Sequence, residues 1–360
     1  MAIDWRRGMT ASYYATIVDP DSWADVGRID LVGGSIKRET SGLRHSADID
    51  CVNYDLTDQN NQPTEKYIRV WLDARQGASF SHTALFTGLA SSPGFNIEGR
   101  TEKQTLQCYS VLKPAQDVLL EPGYYVPIGV DGGKIVKRLL DSCLKAPVDI
   151  STREDEKRTI TSSIVAESGE TVLSMVEIIL EAMSWRIQIN GHGDIFIGPY
   201  NPYNEDAVAT FDSIDNDVIE TTVSINYDWY DCPNVVRAIV DDNVAIAKDE
   251  DENSPFSIVS RGREVWYEET NCVLNDKENL VEYARRRLKE LQQVSTIISY
   301  DRRFNPDVFP TDVVQINYPI YIEGLDGSSR LINIEGRHMV TSQSITLGYS
   351  AKTSEEVIQL

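Results

Sequence analysis

Four histidines, His45, His82, His192 and His338, come first, because imidazole binds metals and moves protons near neutral pH. None stands in the HxxxH or HExxH spacing that would set two rings on one helix face around zinc, so zinc hydrolysis is not expected. His192 falls in the run 190–194, where a hydrogen-bonded turn residue is the expected role. Ser46 follows His45 but no GxSxG elbow surrounds it, so a serine triad has no motif behind it. Cys51 and Cys108 sit on the apolar side of alternating stretches and read as core, not as nucleophiles. Asp212, Asp215, Asp217 and Glu220 have the ligand type for calcium. They lack the EF-hand spacing and its glycine, and a solvated acidic loop explains them as well.

Two carboxylates a few ångströms apart suffice for glycoside hydrolysis, yet 56 acidic residues guarantee chance pairs. Asp241 and Asp242 are adjacent in a strand-like run and so point to opposite faces. Gly123, Gly129, Gly132 and Gly133 compose neither GxxxxGK nor GxGxxG, the loops that cradle phosphates. No catalytic residue, cofactor or metal is therefore assigned, and the chain does not read as an enzyme.

Charge carries more. Lys+Arg 34 against Asp+Glu 56 gives a net charge of −22, which repels nucleic-acid phosphates and argues against specific DNA or RNA binding. Residues 201–260 hold 14 acids against Arg237 and Lys248 alone, a net of −12. Asp241, Asp242, Asp249, Glu250, Asp251 and Glu252 mark either an acidic loop or an acidic wall that something negative slides past. The one basic cluster is Arg285, Arg286 and Arg287 with Lys289. It lies late in an expected helix, where cations complement the dipole, and it is also a candidate salt-bridge face between subunits.

Around these residues the chain must supply elements. At 360 residues it is long enough for two or three domains, and 41% hydrophobic with 25% charged is ordinary globular composition. No stretch approaches the ~18 apolar residues that span a bilayer, and the start lacks a signal-peptide core. The five cysteines lie far apart without a CxxC pair, which suits synthesis in a reducing cytoplasm.

Period-two alternation marks strands at Ala47–Cys51, Ile68–Leu72 and Leu106–Tyr109, with turns expected at Gly33-Gly34, at 58–61 and at 91–94. After Gly132-Gly133 the spacing of Ile135, Val136, Leu139, Leu140 and Cys143 becomes helical, ending near Pro147. A second helix is expected from an N-cap at Ser168, with Val172, Leu173, Val176, Ile179, Leu180 and Met183 on its apolar face. Trp185–Ile189 then turns at Asn190-Gly191 into Ile195–Ile197. Strands return at Val235–Val240, Val313–Tyr318, Leu331–Ile334 and Ile345–Tyr349, interrupted by a helix from about Lys277 to Gln293.

Asn96-Ile97-Glu98-Gly99-Arg100 recurs as Asn333-Ile334-Glu335-Gly336-Arg337, each after a Gly-Leu and before a strand with Tyr-Ser. This echo suggests two divergent copies of one β-barrel. Three such chains would make a ring of six similar barrels.

The order of several segments is similar to that of phage tail baseplate hub proteins, including hubs of the late control protein D type. These are Trp5-Arg6-Arg7-Gly8-Met9-Thr10-Ala11-Ser12-Tyr13-Tyr14, Gly34-Ser35-Ile36 to Cys51, Arg69 to Arg75, Cys108 to Ala115, Ser168 through Trp185 to Ile195, and Cys232-Pro233-Asn234-Val235-Val236-Arg237-Ala238. The resemblance implies an α+β, mainly β fold. It places a first tube-like antiparallel β-barrel at 1–124 and an α/β module at 125–200. A second barrel would come from 201–248 and 300–360, with an acidic loop and helical insertion at 249–299. It implies a homotrimer in the virion tail that adapts a sixfold tube to a threefold spike and lines the DNA channel. Its partners would be the tail tube or distal tail protein, a central spike or tail lysin, and the tape measure protein, with no membrane. The competing readings are a cell-wall-degrading tail enzyme and a carbohydrate-binding adhesion module, the latter because Tyr124, Tyr125, Tyr200, Tyr203, Tyr227, Trp229 and Tyr230 cluster beside turns.

Overall fold

The computed structural model describes residues 3–52, 65–91, 94–98, 101–152, 158–161, 163–212, 219–227, 229–240, 243–270, 272, 279–292, 296–323, 329–348 and 352–360. It is mainly β, with five helices and a large, almost wholly antiparallel sheet among these residues.

The first third forms β1 (Thr10–Val18), β2 (Asp25–Glu39), β3 (His45–Val52), β4 (Tyr67–Gln76), β5 (Ser79–Ala90), β6 (Gly94–Glu98) and β7 (Thr101–Ser110). Their pairings run β1-β4-β5-β7-β3-β2, and β2 returns to β1, so the hydrogen bonding closes on itself. Alternation sends every second side chain inward. Ile36, Ile49, Cys51, Ile68, Val70, Leu72, Leu85, Leu106 and Cys108 share one core, where the two cysteines were expected. Each large apolar side chain buried there is worth ~1.5–3 kcal/mol. Gly33-Gly34 is not a turn. It lies inside β2 at a register shift, with Gly34 at φ 143°, because β3 passes so close that a Cβ would meet the Asp48 carbonyl at 2.4 Å.

Next come α1 (Lys113–Asp117), β8 (Tyr125–Val126), α2 (Gly132–Asp141), β9 (Val148–Ile150), β10 (Ile164–Val165), α3 (Val172–Met183), β11 (Trp185–Ile189) and β12 (Ile195–Pro199). The apolar faces of α2 and α3 meet strands β9, β11 and β12 in a second core. The cap of α3 is Thr171, not Ser168: its hydroxyl accepts from Ser174 N while Ser174 Oγ accepts from Thr171 N. The β11–β12 hairpin forms, but through a five-residue loop in which Asn190 holds Asp194 and Gly193 takes the positive φ.

The remainder holds β13 (Ala209–Asp212), β14 (Ile219–Tyr227), β15 (Val235–Val240), β16 (Asn243–Lys248), α4 (Ile258–Arg261), β17 (Trp266–Thr270), α5 (Leu280–Leu291), β18 (Thr296–Arg303), β19 (Val313–Glu323), β20 (Ser329–Leu347) and β21 (Lys352–Gln359). Six of these strands are ordered β14-β18-β21-β20-β19-β13 around a third core. Val235–Val240, expected in the second barrel, instead joins β16 and β17 in a separate three-stranded sheet. There α5 covers one face with Tyr283, Ala284 and Leu288. Leu331–Ile334 and Ile345–Tyr349, expected as two strands, fall on one long β20 that ends at Leu347, with Tyr349 outside the described residues.

Numbered within its own half, each six-strand set has the same order, 2-3-6-5-4-1, with β6 continuing β5 along β7. The agreement extends to register. Ala90 faces Cys108 and Val340 faces Val357. Both ladders then slip by one residue, so that Gly94 faces Thr105 and Ser344 faces Ser354. The halves also differ: β1–β4 is antiparallel and β13–β19 parallel, among the described residues β13 and β14 do not pair as β1 and β2 do, and β4–β5 slips between Val70 and Trp71 where β19–β20 runs without a shift. Both copies lie on strand five of their halves but at different heights: Asn96 sits at the position of Thr346, whereas Asn333–Arg337 lies in the earlier part of β20 paired with β19. The pentapeptide echo therefore does not mark the structural correspondence. Its residues 99–100 and the Gly324-Leu325 flank lie outside the described residues.

Candidate assembly interface

The two halves meet where β2 runs antiparallel to β20, from Gly34 opposite Leu347 to Glu39 opposite Ser342. Alternation turns Ile36 and Arg38 inward on β2, and a guanidinium on a core face must find partners. Arg38 Nη2 donates to the Leu85 carbonyl at 2.7 Å, Nη1 reaches Gln343 Oε1 at 3.4 Å, and the group lies over the Phe309 ring at 4.3 Å. Its Nε has no hydrogen-bond partner among the described residues. Burial, with Arg302 nearby, lowers its pKa to about 9 against the opposing pull of Asp312.

Beyond Gln343 lies a carboxylate with four donors. Glu355 accepts from Arg302 Nε (2.8 Å) and Nη2 (2.7 Å), from the Tyr300 hydroxyl (2.7 Å) and from Gln343 Nε2 (2.6 Å). All four side chains are buried. Burial alone would raise the Glu355 pKa; the Arg302 charge and the donated bonds outweigh it and hold it below the usual carboxylate value. Burial, then the Glu355 charge, push the Tyr300 phenol well up. A network so satisfied fixes one geometry at the junction.

The α/β module is pinned to both halves. Its β11–β12 loop lies on the first: the His192 carbonyl accepts from Trp23 Nε1 (3.0 Å) and Arg69 Nη2 (3.1 Å), and the Gly191 carbonyl accepts from Thr87 Oγ1 (2.8 Å). His192 is thus a turn residue that works through its backbone. On the other side the Tyr200 hydroxyl and Arg186 Nη1 donate to the Thr311 carbonyl at 2.7 and 3.2 Å. A cavity of about 380 Å³ lies where the three parts meet, lined among others by His45, Asp149, Asn190, Phe196 and Thr311. His45 Nδ1 has no hydrogen-bond partner among the described residues, and burial, then the Arg38 and Arg44 charges, lower its pKa to about 3.

The charged residues singled out from sequence fall elsewhere. Arg285, Arg286 and Arg287 lie on α5. Arg287 binds Glu269 on β17 at 2.9 Å, and both Arg286 and Arg287 reach Glu290, so part of the cluster is spent within its own unit. Arg285 is exposed. Asp249, Glu250, Asp251 and Glu252 follow β16 in a tight turn: Asp249 accepts from Asp251 N, Ser254 Oγ and Gln292 Nε2, and Asp251 accepts from Asn253 N. Glu250 and Glu252 are exposed. The acidic turn and the arginine helix thus belong to one small unit, joined by Asp249 and Gln292. Asp241 and Asp242 lie outside the described residues, as do 213–218 of the calcium candidate.

The junction network was not anticipated. Its signal was present in Thr353, Glu355 and Val357, and in Ile298, Tyr300 and Arg302, where alternation puts a charge on the same face as an aliphatic residue.

No family model and no curated protein matches this chain. Solved structures do. A tail protein from Neisseria meningitidis aligns with TM-score 0.64 at 15% identity, covering 97% of both chains. The 43 kDa tail protein of prophage MuSo2 from Shewanella oneidensis aligns with TM-score 0.62 at 10% identity, also over 97% of both. A type VI secretion component from E. coli, described as structurally similar to the T4 phage tail proteins gp27 and gp5, aligns with TM-score 0.50 at 9% identity over 92% of this chain and 74% of that one. The chain shares its fold with phage and prophage tail proteins, as the resemblance implied, and with this type VI secretion component.

Proposed function

We propose that the chain is the structural hub of a phage tail baseplate or tail tip, a homotrimer that adapts a sixfold tail tube to a threefold spike. The observation that carries this is the repeated strand order, with matching register slips, in two halves joined edge to edge by β2 and β20. Two barrels per chain and three chains give six similar barrels around an axis, so one ring presents near-sixfold contacts on one face while remaining threefold. The tail fold of the structural neighbours supports the same reading.

On this reading the chain performs no bond chemistry. It holds the tube or distal tail protein on one side and the central spike or lysin on the other. The net charge of −22 lets DNA pass the ring without adhesion. The solution mass of the purified chain tests the proposal: three times 40.5 kDa supports it, and a stable dimer overturns it. Zymography on peptidoglycan tests the non-enzymatic part, because lysis by the isolated chain would overturn it.

A further inference from the structure

The correspondence between the halves assigns each strand edge a counterpart, and one pair of edges has no partner strand among the described residues. Tyr109 faces Ser46 as Ile358 faces Ile297, and Ser46 faces Lys37 as Ile297 faces Asn226. Lys37 on β2 therefore corresponds to Asn226 on β14, and by the same ladders Ser35 corresponds to Ser224 and Ile36 to Ile225. On the other side of the junction Ser344 corresponds to Gly94, and so Thr346 to Asn96 and Ile345 to Phe95.

Within the chain, β2 and β20 use these positions on each other: Ser35 faces Thr346, Ile36 faces Ile345, and Lys37 faces Ser344. Among the described residues β14 pairs with β18 alone and β6 with β7 alone, so both counterpart edges are open. Burial agrees. Ile36, flanked by β20, is fully buried, while its counterpart Ile225 and neighbouring Val223 remain only partly so. An open edge with unpaired N–H and C=O groups is a template for another strand.

We propose that β14 of one copy pairs antiparallel with β6 of the next, with Ser224 opposite Asn96 of the next copy, Ile225 opposite Phe95 and Asn226 opposite Gly94. This rests on the trimeric reading and gives it a register. The contact is head to tail, using different patches on the two copies, so it closes only if the rotation per copy divides the circle.

Engineered cysteines test it. Directly opposed Cα atoms fall within disulfide range and diagonal ones at or beyond its limit. Ser224→Cys with Asn96→Cys should form, under mild oxidation, a cross-linked trimer on non-reducing gels. The yield should be at least ten times that of Ser224→Cys with Gly94→Cys, or of either single variant. A chain that sediments as a trimer but shows no such excess overturns the pairing and leaves the hub standing. A chain that stays monomeric removes both. Hydrogen exchange on the unmodified chain is the second measurement: the amides of 223–227 and 94–98 should gain protection in the trimer, and equal exchange in monomer and trimer overturns the proposal.

Discussion

Arg302 on β18 and Glu355 on β21 form a two-pronged ion pair, 2.8 and 2.7 Å, with neither side chain reaching solvent. They are diagonal neighbours, since Arg302 faces Thr353 and Tyr300 faces Glu355. Removing one partner strands a buried charge, which costs about 3–5 kcal/mol, whereas replacing both with apolar residues of similar size is near neutral. Glu355→Ala should therefore cost ~3–5 kcal/mol in urea denaturation, and Arg302→Met with Glu355→Leu much less. A loss under about 1 kcal/mol for the single variant would mean that the network does not hold the junction.

Acid should weaken the fold in two separable steps. The pKa of His45 is about 3 in the folded chain, set by burial and the Arg38 and Arg44 charges, and near 6.5 when unfolded. The unfolded chain therefore binds more protons between pH 6.5 and 3. Stability falls as pH drops through that window, by up to about 5 kcal/mol at its acid end, and is unaffected above it. Buried His338, also lowered by burial, adds in the same direction. Glu355 acts lower: its stabilisation is full above the ordinary Glu value near 4.5 and fades as pH falls through its depressed folded value. His45→Phe should reduce the slope of unfolding free energy between pH 6.5 and 4.5 to what the other lowered histidines, His338 and His192, supply, while leaving the steeper loss below. An unchanged slope in the upper window would show that His45 is not held neutral.

What the sequence displays is faces, and what it hides is partners. Alternation locates Val235–Val240 to the residue, yet nothing in those six residues says that α5, and not the large sheet, covers them. Helical spacing makes the Arg286–Glu290 pair legible, while Arg287–Glu269 requires the fold to bring β17 under α5. Glycine misleads in both directions. Gly34 and Gly336 take φ of 143° and 117° inside long strands, where a turn or a strand boundary was expected. The junction needed both halves paired before Arg38 and Gln343 could meet, so no local window contains it. The strand-order correspondence escaped for the same reason, because it lives in hydrogen-bonded neighbours and not in a shared pentapeptide.

At Gly191 the backbone of the α/β module lies directly against the backbone of the first half. A Cβ there would sit 1.8 Å from the Ala84 carbonyl oxygen, and backbone cannot yield as a side-chain tip does. Gly191→Ala should lift the β11–β12 loop, weaken the bonds from Thr87, Arg69 and Trp23, and cost about 2–4 kcal/mol. Gly8→Ala, with open space around it, should change stability by less than about 0.5 kcal/mol. Differential scanning calorimetry compares the two. Equal melting temperatures would mean that the loop is not clamped on the first half.

The unit built from β15, β16, β17 and α5 should be removable. Tyr227 faces Thr296 as the last pair of the β14–β18 ladder, so the chain leaves the large sheet and re-enters it at adjacent points. Between those points it builds its own core, with Val236, Ala238, Ala245 and Ala247 on the sheet under Tyr283, Ala284 and Leu288 of the helix. Loop length enters stability only through a slowly growing closure entropy, so shortening this connection costs little and favours the folded state slightly. Replacing residues 228–295 with an Asn-Gly turn, which suits the twist of a two-stranded ladder, should leave a soluble chain. That chain should unfold cooperatively within a few degrees of the parent, with the Arg302–Glu355 junction intact, because the open edge of β14 faces away from β18. On the hub reading it should also retain its trimeric mass. If the shortened chain folds but sediments as a monomer, the excised unit holds the copies together, and Arg285, the exposed arginine of α5, becomes the first residue to test for that contact.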